Sequence, residues 1–576
     1  MILVFGGTTE GRIAIEVCEQ SDSTYYYSTK GSLQKVELQR GVRLSGAMSA
    51  LEMEQFCKEK EIKCIIDAAH PFATELHKTI EQIGLPVIRL QRTFSDRNPK
   101  VTYCKDFPDA VVQLEKANIK KLLALTGTNT IAKLKGFWKE HETYFRILNR
   151  KESIDIAKQS SFDKSHLLFY NEQHSIPTIE DEKDLIRQVG CEAIITKESG
   201  ESGGYEQKIE AALQSGIKAF VVLRPELPKS WTYVSGKIGL RKAIEQLVPD
   251  YFNLKTGFTT GACATAATKA ALVSLLYDES PESIDFTLPD GEIASIPVNV
   301  DRKGTASVIK DFSDDPDVTR GCRITSTVEL TDGNDIVFKQ GQGVGKVTLP
   351  GLGIPVGGPA INATPRAMMT AEIQQLTSRG CAVTISVENG EELAKHTLNY
   401  KVGVIDGISI IGTSGVVYPL SNEAFLLSLK REFEVAKAIG CTNIALVSGK
   451  KGEAARLEEN HIRCIHYGNF IGEALQIAQE LEFKKVVVGI MIGKAVKLAE
   501  GHMNTHSHKV QMNKDFLKEV AGAEADKIDT INMARDLWGC MSADFFNKIK
   551  DLCYTHCSKV FTNGELTIKL ICDKQV

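Results

Sequence analysis

The chain has no excess of charge of either sign: 69 Lys and Arg stand against 73 Asp and Glu, a net −4 over 576 residues. This excludes the broad cationic surface on which non-specific nucleic-acid binding depends. Long apolar runs are missing as well. Residues 486–492 form the most apolar late stretch, far short of the roughly 20 residues that cross a bilayer, and no membrane partner is expected. The opening Met1-Ile-Leu-Val-Phe-Gly-Gly has no basic start and no small-residue cleavage site behind an apolar stretch, so it reads as a strand and not as an export signal. With 17 Pro and 46 Gly, the composition is neither disordered nor fibrous. The 14 cysteines form no short disulfide framework. Scattered through apolar segments, as at Cys64, Cys263, Cys441 and Cys464, they suit reduced thiols in a cytoplasmic enzyme. Cys553 and Cys557 flank His556, but no second ligand pair with zinc-site spacing follows, so a terminal helix is expected there and no metal site.

What is present is enough for several cores: 43% hydrophobic residues, at a length that about 150 residues per domain divides into roughly four. Up to residue 248, short β-branched runs alternate with amphipathic stretches, the pattern of α/β units on a parallel sheet. Strands are expected at 2–5, 63–67, 86–90, 121–125, 144–148, 167–170, 193–196 and 220–223. Leu247-Val-Pro-Asp-Tyr-Phe reads as a linker, which puts the main boundary near Pro249. From Lys255 to about residue 400 the alternation is irregular and implies an α+β unit. After residue 408 it returns, with strands expected at 409–411, 444–447, 463–465 and 486–490 and helices at 423–439, after Gly452 and at 472–481. That is a smaller doubly wound α/β unit.

Gly6-Gly7-Thr8-Thr9-Glu10-Gly11 lies between a strand and a helix, where glycines admit a ligand to the backbone and the helix N-terminus offers N–H groups to a phosphate or carboxylate. The same glycines would also serve a tight turn, and their spacing is not the usual dinucleotide fingerprint. Polar residues recur at other strand ends: His70 in Asp67-Ala-Ala-His-Pro-Phe, then Thr126-Gly127-Thr128, then Lys197-Glu198-Ser199-Gly200. In an open parallel sheet such ends face one crevice, so together they imply a ligand. These motifs, with Leu223-Arg224-Pro225, resemble the precorrin-6A reductases of cobalamin biosynthesis over residues 1–248. The resemblance implies two Rossmann-like parallel-sheet lobes, split near residue 117, with NADH or NADPH and a tetrapyrrole between them. Gly6, Gly7, Thr8, Glu10, Gly11, Thr126, Gly127, Thr128, Lys197 and Ser199 would contact the cofactor, and His70 would act in catalysis.

The second half opens on Thr256-Gly-Phe-Thr259-Thr260-Gly261-Ala-Cys263 and an Ala-rich helix, small enough to let a flat ligand approach or to pack tightly in a core. Cys263 lacks a partnered base. Residues 308–319 pack four carboxylates into one turn, including Asp311 and Asp314, without EF-hand spacing. A Gly/Pro loop fills 341–355, and Gly412-Thr413-Ser414-Gly415 and Asn504-Thr-His506-Ser follow later. Together these resemble the cobalt-precorrin-5B C1-methyltransferases, the CbiD family, over about residues 253–540. That resemblance implies S-adenosylmethionine at Thr259, Thr260, Gly261, Gly412, Thr413, Ser414 and Gly415. It also implies Asp311, Asp314 or His506 beside the reacting centre, with cobalt present only as part of the substrate.

C1 methylation yields the substrate of the reductase, so the chain resembles a fusion of consecutive steps: 1–248 a reductase, 253–576 a methyltransferase. The expected partner is a cobalt-tetrapyrrole, with other enzymes of the pathway beside it. A non-catalytic tetrapyrrole carrier, a nucleic-acid methyltransferase and an unrelated reductase/methyltransferase fusion are the competing readings.

Overall fold

The computed structural model describes residues 1–31, 35–92, 94, 97–170, 177–200, 203–311, 313–448, 463–506 and 511–572. The chain divides into two compact units, Met1–Asn253 with Glu292–Ala294, and Leu254–Gly291 with Ser295–Val576.

The first unit holds two six-stranded sheets, parallel throughout. One runs Thr232–Ser235, Val87–Gln91, Cys64–Asp67, Ile2–Phe5, Tyr25–Thr29, Gly41–Ser45. The other runs Thr102–Cys104, Lys218–Val222, Ala193–Lys197, Lys121–Ala124, Glu142–Leu148, Leu167–Tyr170. Central strands such as Ile2–Phe5 are buried on both faces, which is why four consecutive apolar residues suffice to define them. Separate apolar clusters cover the two faces of each sheet. The chain leaves the first sheet after Gln91, builds the second, and returns to the first only at Thr232. The expected lobe division near 117 is therefore corrected: the helix Phe107–Lys116 already packs into the core of the second sheet through Phe107, Ala110 and Leu114, so the crossing lies between 91 and 102.

In the second unit a five-stranded sheet runs Asn299–Arg302, Thr305–Ile309, Arg323–Leu330, Cys381–Val387, Ile336–Gln340, antiparallel except for its last pair. The helix Thr260–Tyr277 packs between this sheet and the helix Ala363–Leu376. Its Ala and Thr side chains are small enough for that sandwich, and nearly all of the first twelve residues are buried. A four-stranded parallel sheet follows, in the order Arg463–His466, Asn443–Val447, Lys485–Met491, Glu565–Ile571. It is packed by the helices Asn422–Ala438, Ile471–Glu480, Ile492–Ala499 and Ala543–Cys557 around one continuous core.

The strand expected at 409–411 is absent. Ile408 and Ile410 make isolated bridges to Val344 and Ile361 instead, because the loop pairs with two different segments. The helix expected after Gly452 lies outside the described residues. Among the described residues no helix is long and apolar enough to cross a membrane.

Candidate functional site

In the first unit, the strand Ile2–Phe5 ends at Gly6, and the helix Thr9–Cys18 begins two residues beyond Gly7. Thr8 caps that helix: its hydroxyl accepts from Gly11 N at 3.1 Å and donates to Ala68 O at 2.7 Å, tying this loop to the end of the neighbouring strand. Gly7 has φ +93°, and among the described residues the one atom within 4.0 Å of a Cβ built there is the Thr29 methyl. The loop is an open cradle that a side chain would fill.

Four of the residues expected at the site converge across the two sheets. Glu10 pairs with Arg92 at 3.0 Å, both side chains only 7% exposed, and Arg92 donates from Nη1 to Ser199 O at 2.7 Å. Lys197 Nζ stands 5.3 Å from the Phe72 ring centroid. His70 is adjacent: its Nδ1 accepts from Phe72 N at 3.2 Å, which assigns the ring proton to Nε2. Burial first, then the charges of Lys197, Arg92 and Arg89, push the His70 pKa down to about 3, so the ring is neutral at physiological pH. Burial and then Lys133 push Lys197 down to about 8. Lys197 keeps its charge at neutral pH but is close to losing it.

Gly127 has φ +80° and open space around it, whereas the Thr126 hydroxyl is buried against that of Thr130 at 2.6 Å. Arg92, Arg97 and Arg224 were not singled out as site residues from the sequence. Arg97 meets the buried Glu198 at 3.2 Å, and Arg224 stacks 3.6 Å from the Phe94 centroid. Arg92 follows Gln91, the last residue of a strand, and that position was the signal available for it. Asp67, beside His70, serves the fold: it forms a fully buried pair with Arg89 at 2.6 Å.

In the second unit, the two Gly/hydroxyl segments come together but spend their polar groups on each other. Gly261 N donates to Ile411 O at 2.9 Å, Ile411 N to the Thr260 hydroxyl at 2.9 Å, and Thr259 N to Gly415 O at 3.0 Å. The Thr259 hydroxyl accepts from Ala262 N as the helix cap. Gly412 (φ +137°) lies so close that a Cβ there would stand 2.2 Å from that hydroxyl. Thr413 and Ser414 remain exposed.

The aspartates of the 308–319 turn are anchors. Asp311 accepts from Phe258 N at 2.8 Å, Asp314 from Lys255 N at 2.7 Å, and Asp315 from Leu420 N at 3.2 Å. Asp317 holds the fully buried Lys310 at 2.8 Å. On the side of His506, Phe425 packs against Phe470 with centroids 5.3 Å apart, Phe470 bridges Asn504, and Asn504 Oδ1 accepts from His506 N at 3.2 Å. Ser507 lies outside the described residues. Cys553 and Cys557 are fully buried, with thiols pushed up by burial. Among the described residues no group of three His, Cys, Asp or Glu is placed to hold a metal ion.

Two wholly parallel sheets meeting at the C-terminal ends of their strands define a Rossmann-like α/β protein, here carried on one chain with an α+β unit. Residues 1–241 match the family described as Precorrin-6x reductase CbiJ/CobK, and residues 248–419 match CbiD. A cobalt-precorrin-5B C(1)-methyltransferase of Prosthecochloris aestuarii is 39% identical over 345 residues, 55% of this chain and 94% of that protein. One from Priestia megaterium is 38% identical over 334 residues, 54% of this chain and 91% of its own. A solved structure titled CobK precorrin-6A reductase covers 43% of this chain and 97% of its own, at 18% identity and a TM-score of 0.36. The chain belongs to the cobalt-precorrin-5B C(1)-methyltransferase family, CbiD, and carries a CbiJ/CobK reductase at its N-terminal end as a fusion of the two.

Proposed function

We propose that this chain is a bifunctional enzyme of cobalamin biosynthesis. Its second half, residues 253–576, methylates C1 of cobalt-precorrin-5B with S-adenosylmethionine, and its first, residues 1–248, reduces the resulting cobalt-precorrin-6A to cobalt-precorrin-6B with NADH or NADPH. The observation that carries this is the joining, in one polypeptide, of two families whose names describe consecutive chemistry on one macrocycle. A carrier needs only one site and no strand-end cradle, so that alternative is not favoured. The cytoplasm is the compartment proposed, and cobalt is part of the substrate.

The residues of the first unit fit a nicotinamide cofactor: an open Gly7 loop at a helix N-terminus suits its pyrophosphate. When bound, the nicotinamide supplies the hydride. Lys197 then presents positive charge to an anionic group, the neutral His70 presents Nε2–H, and the Glu10–Arg92–Ser199 link orients the cradle against the second sheet. The Thr259–Gly261 and Gly412–Gly415 segments do not form an open cradle for S-adenosylmethionine. They leave the exposed Thr413 and Ser414 to contact it. Methyl transfer between a sulfonium and a ring carbon depends chiefly on alignment. Asp311, Asp314 and His506 are proposed beside that alignment, with the carboxylates offsetting the sulfonium charge.

The test supplies the purified protein with cobalt-precorrin-5B, methyl-labelled S-adenosylmethionine and each reduced nicotinamide, and follows the macrocycle by mass. One labelled methyl followed by two hydrogens is expected. No label on a verified substrate would refute the methyltransferase half, and labelled but unreduced product the reductase half.

A further inference from the structure

The segment Gly493-Lys494-Ala-Val-Lys497, which precedes the Asn504–His506 motif, follows a strand of the four-stranded sheet in the second unit. The strand order of that sheet places the first strand, Asn443–Val447, between Arg463–His466 and Lys485–Met491, so the chain reverses direction across the sheet between Asn443–Val447 and Lys485–Met491. Ligands of open parallel sheets bind at the C-terminal ends of strands flanking such a reversal. Two lysines stand at this one. Lys494 and Lys497 lie in the first two turns of the helix Ile492–Ala499, which starts directly at the end of Lys485–Met491.

Both lysines are folded inward. Lys494 Nζ donates to Gly468 O and lies 5.8 Å from the Tyr467 ring centroid, and Lys497 Nζ donates to Thr505 O at 3.3 Å. Neither has a carboxylate within ion-pair distance among the described residues. Glu500, the acidic group at the other end of this helix, is engaged with Asn513 and stands 3.6 Å from His502. Burial lowers the pKa of both lysines, that of Lys494 to about 8 with Lys497 as the second cause. Two neighbouring ammonium groups, part-buried without a counter-charge, cost stability in the unliganded protein, and an anion removes that cost.

The surroundings say which anion. Gly468, which holds Lys494, also lies under Phe425: a Cβ there would stand 2.8 Å from that ring. Phe425 and Phe470 are tilted 30° at 5.3 Å, an aromatic shelf beside the loop that holds Lys494, and Phe425 is 37% exposed. Aromatic faces beside paired cations match a flat ring system bearing carboxylates at its edge better than an amino-acid carboxylate alone.

We propose that Lys494 and Lys497 bind peripheral carboxylates of the tetrapyrrole macrocycle, with Phe425 and Phe470 against its ring. This rests on the methyltransferase reading above and adds to it the place where the substrate is held.

The test measures binding of cobalt-precorrin-5B to the full-length protein and to a Lys494→Gln/Lys497→Gln variant, with S-adenosylmethionine binding measured separately on both. Charged hydrogen bonds of this kind predict macrocycle binding weakened about tenfold or more, a higher KM with kcat little changed, and S-adenosylmethionine affinity within about twofold. A Lys494→Arg/Lys497→Arg variant retains the charge and should bind the macrocycle nearly as the wild type does, which separates lost charge from lost folding. Undiminished macrocycle binding by the Gln variant overturns the proposal, as does an Arg variant that is folded yet as weak as the Gln variant. Loss of S-adenosylmethionine binding in place of macrocycle binding overturns the source of the carboxylate. A wild-type protein that binds no macrocycle at all refutes the methyltransferase reading itself.

Discussion

In the N-terminal unit, Gly7 sits at positive φ in open space at the end of a strand, while in the C-terminal unit Gly412, also at positive φ, has the Thr259 hydroxyl where its Cβ would be. Both belong to Gly/Thr motifs of similar appearance. In the first the glycine leaves room for a ligand, and in the second it leaves room for the protein. The aspartates divide in a different way. Asp67 is sealed inside the first unit against Arg89, whereas Asp317 holds Lys310 from a half-buried turn. Motif chemistry thus becomes a site only where the fold leaves it unspent.

The buried pairs give the largest expected effects. Asp67→Ala leaves the Arg89 guanidinium uncompensated in a fully buried position and should cost about 3–5 kcal/mol in denaturant unfolding. Asp317→Ala should fall near the lower end, about 3 kcal/mol, because its side chain is 23% exposed and water reaches the gap. The Asp317 carboxyl is part-buried, which opposes ionisation, but Lys310 and Thr319 outweigh this and hold its pKa below the usual carboxylate range. Its contribution is therefore complete above about pH 4 and is lost as pH falls through the lowered value. A larger loss for Asp317→Ala than for Asp67→Ala would reverse the ranking.

The glycines come next. Gly412→Ala combines left-handed strain with a clash against Thr259 and should destabilise by about 2–3 kcal/mol. Gly7→Ala carries the strain alone, about 1 kcal/mol, and should instead weaken nicotinamide binding. Equal stability losses with unchanged nicotinamide affinity would remove the distinction between an open loop and a filled one.

The cleft of the first unit should also titrate. Lys197 loses its proton as pH rises through about 8, so kcat/KM for reduction should decline on that alkaline side. Lys197→Arg, charged throughout, should move the decline upward. His70, neutral down to about pH 3, should contribute no inflection near 6.5 to the native profile. An unshifted alkaline limb in Lys197→Arg would dissociate that lysine from the reaction.

Much of the parallel architecture was legible because buried strands declare themselves: 2–5, 121–124 and 193–196 are apolar on both faces or nearly so. Tyr25–Thr29, Gly41–Ser45, Thr102–Cys104 and Thr232–Ser235 were missed. The last three are short, polar or half-exposed edge strands, and two of them pair with partners more than 100 residues away. Such pairing is set by topology and leaves no local period. Glu10, His70, Lys197 and Ser199 were read from separate strand-end loops, and only three dimensions show Arg92 tying Glu10 to Ser199. In the second unit the small-residue helix suited either a flat ligand or a core, and its Ala run by itself favoured the core. Tertiary packing buries most of that helix in the core.

The smallest stability effect, and the sharpest test of the aspartate turn, is at Asp314. Its Oδ2 accepts from Lys255 N, and its own N–H donates to Lys255 O at 3.1 Å, so the residue ties the segment before Phe258 in both directions while its side chain stays exposed. Asparagine keeps an acceptor oxygen at nearly the same place and removes only the charge. Asp314→Asn should therefore unfold within about 0.5 kcal/mol of wild type, and Asp314→Ala about 1 kcal/mol below it. If the carboxylate also offsets the sulfonium charge, methyl transfer should fall about tenfold in both variants, since Coulomb stabilisation of this kind depends on charge and not on the hydrogen bond. If it serves only as a tie, Asp314→Asn should transfer methyl at the wild-type rate and Asp314→Ala should lose activity only in step with its stability. That second outcome would place Asp314 with Thr259 and Gly412, among the residues whose chemistry the fold has already used.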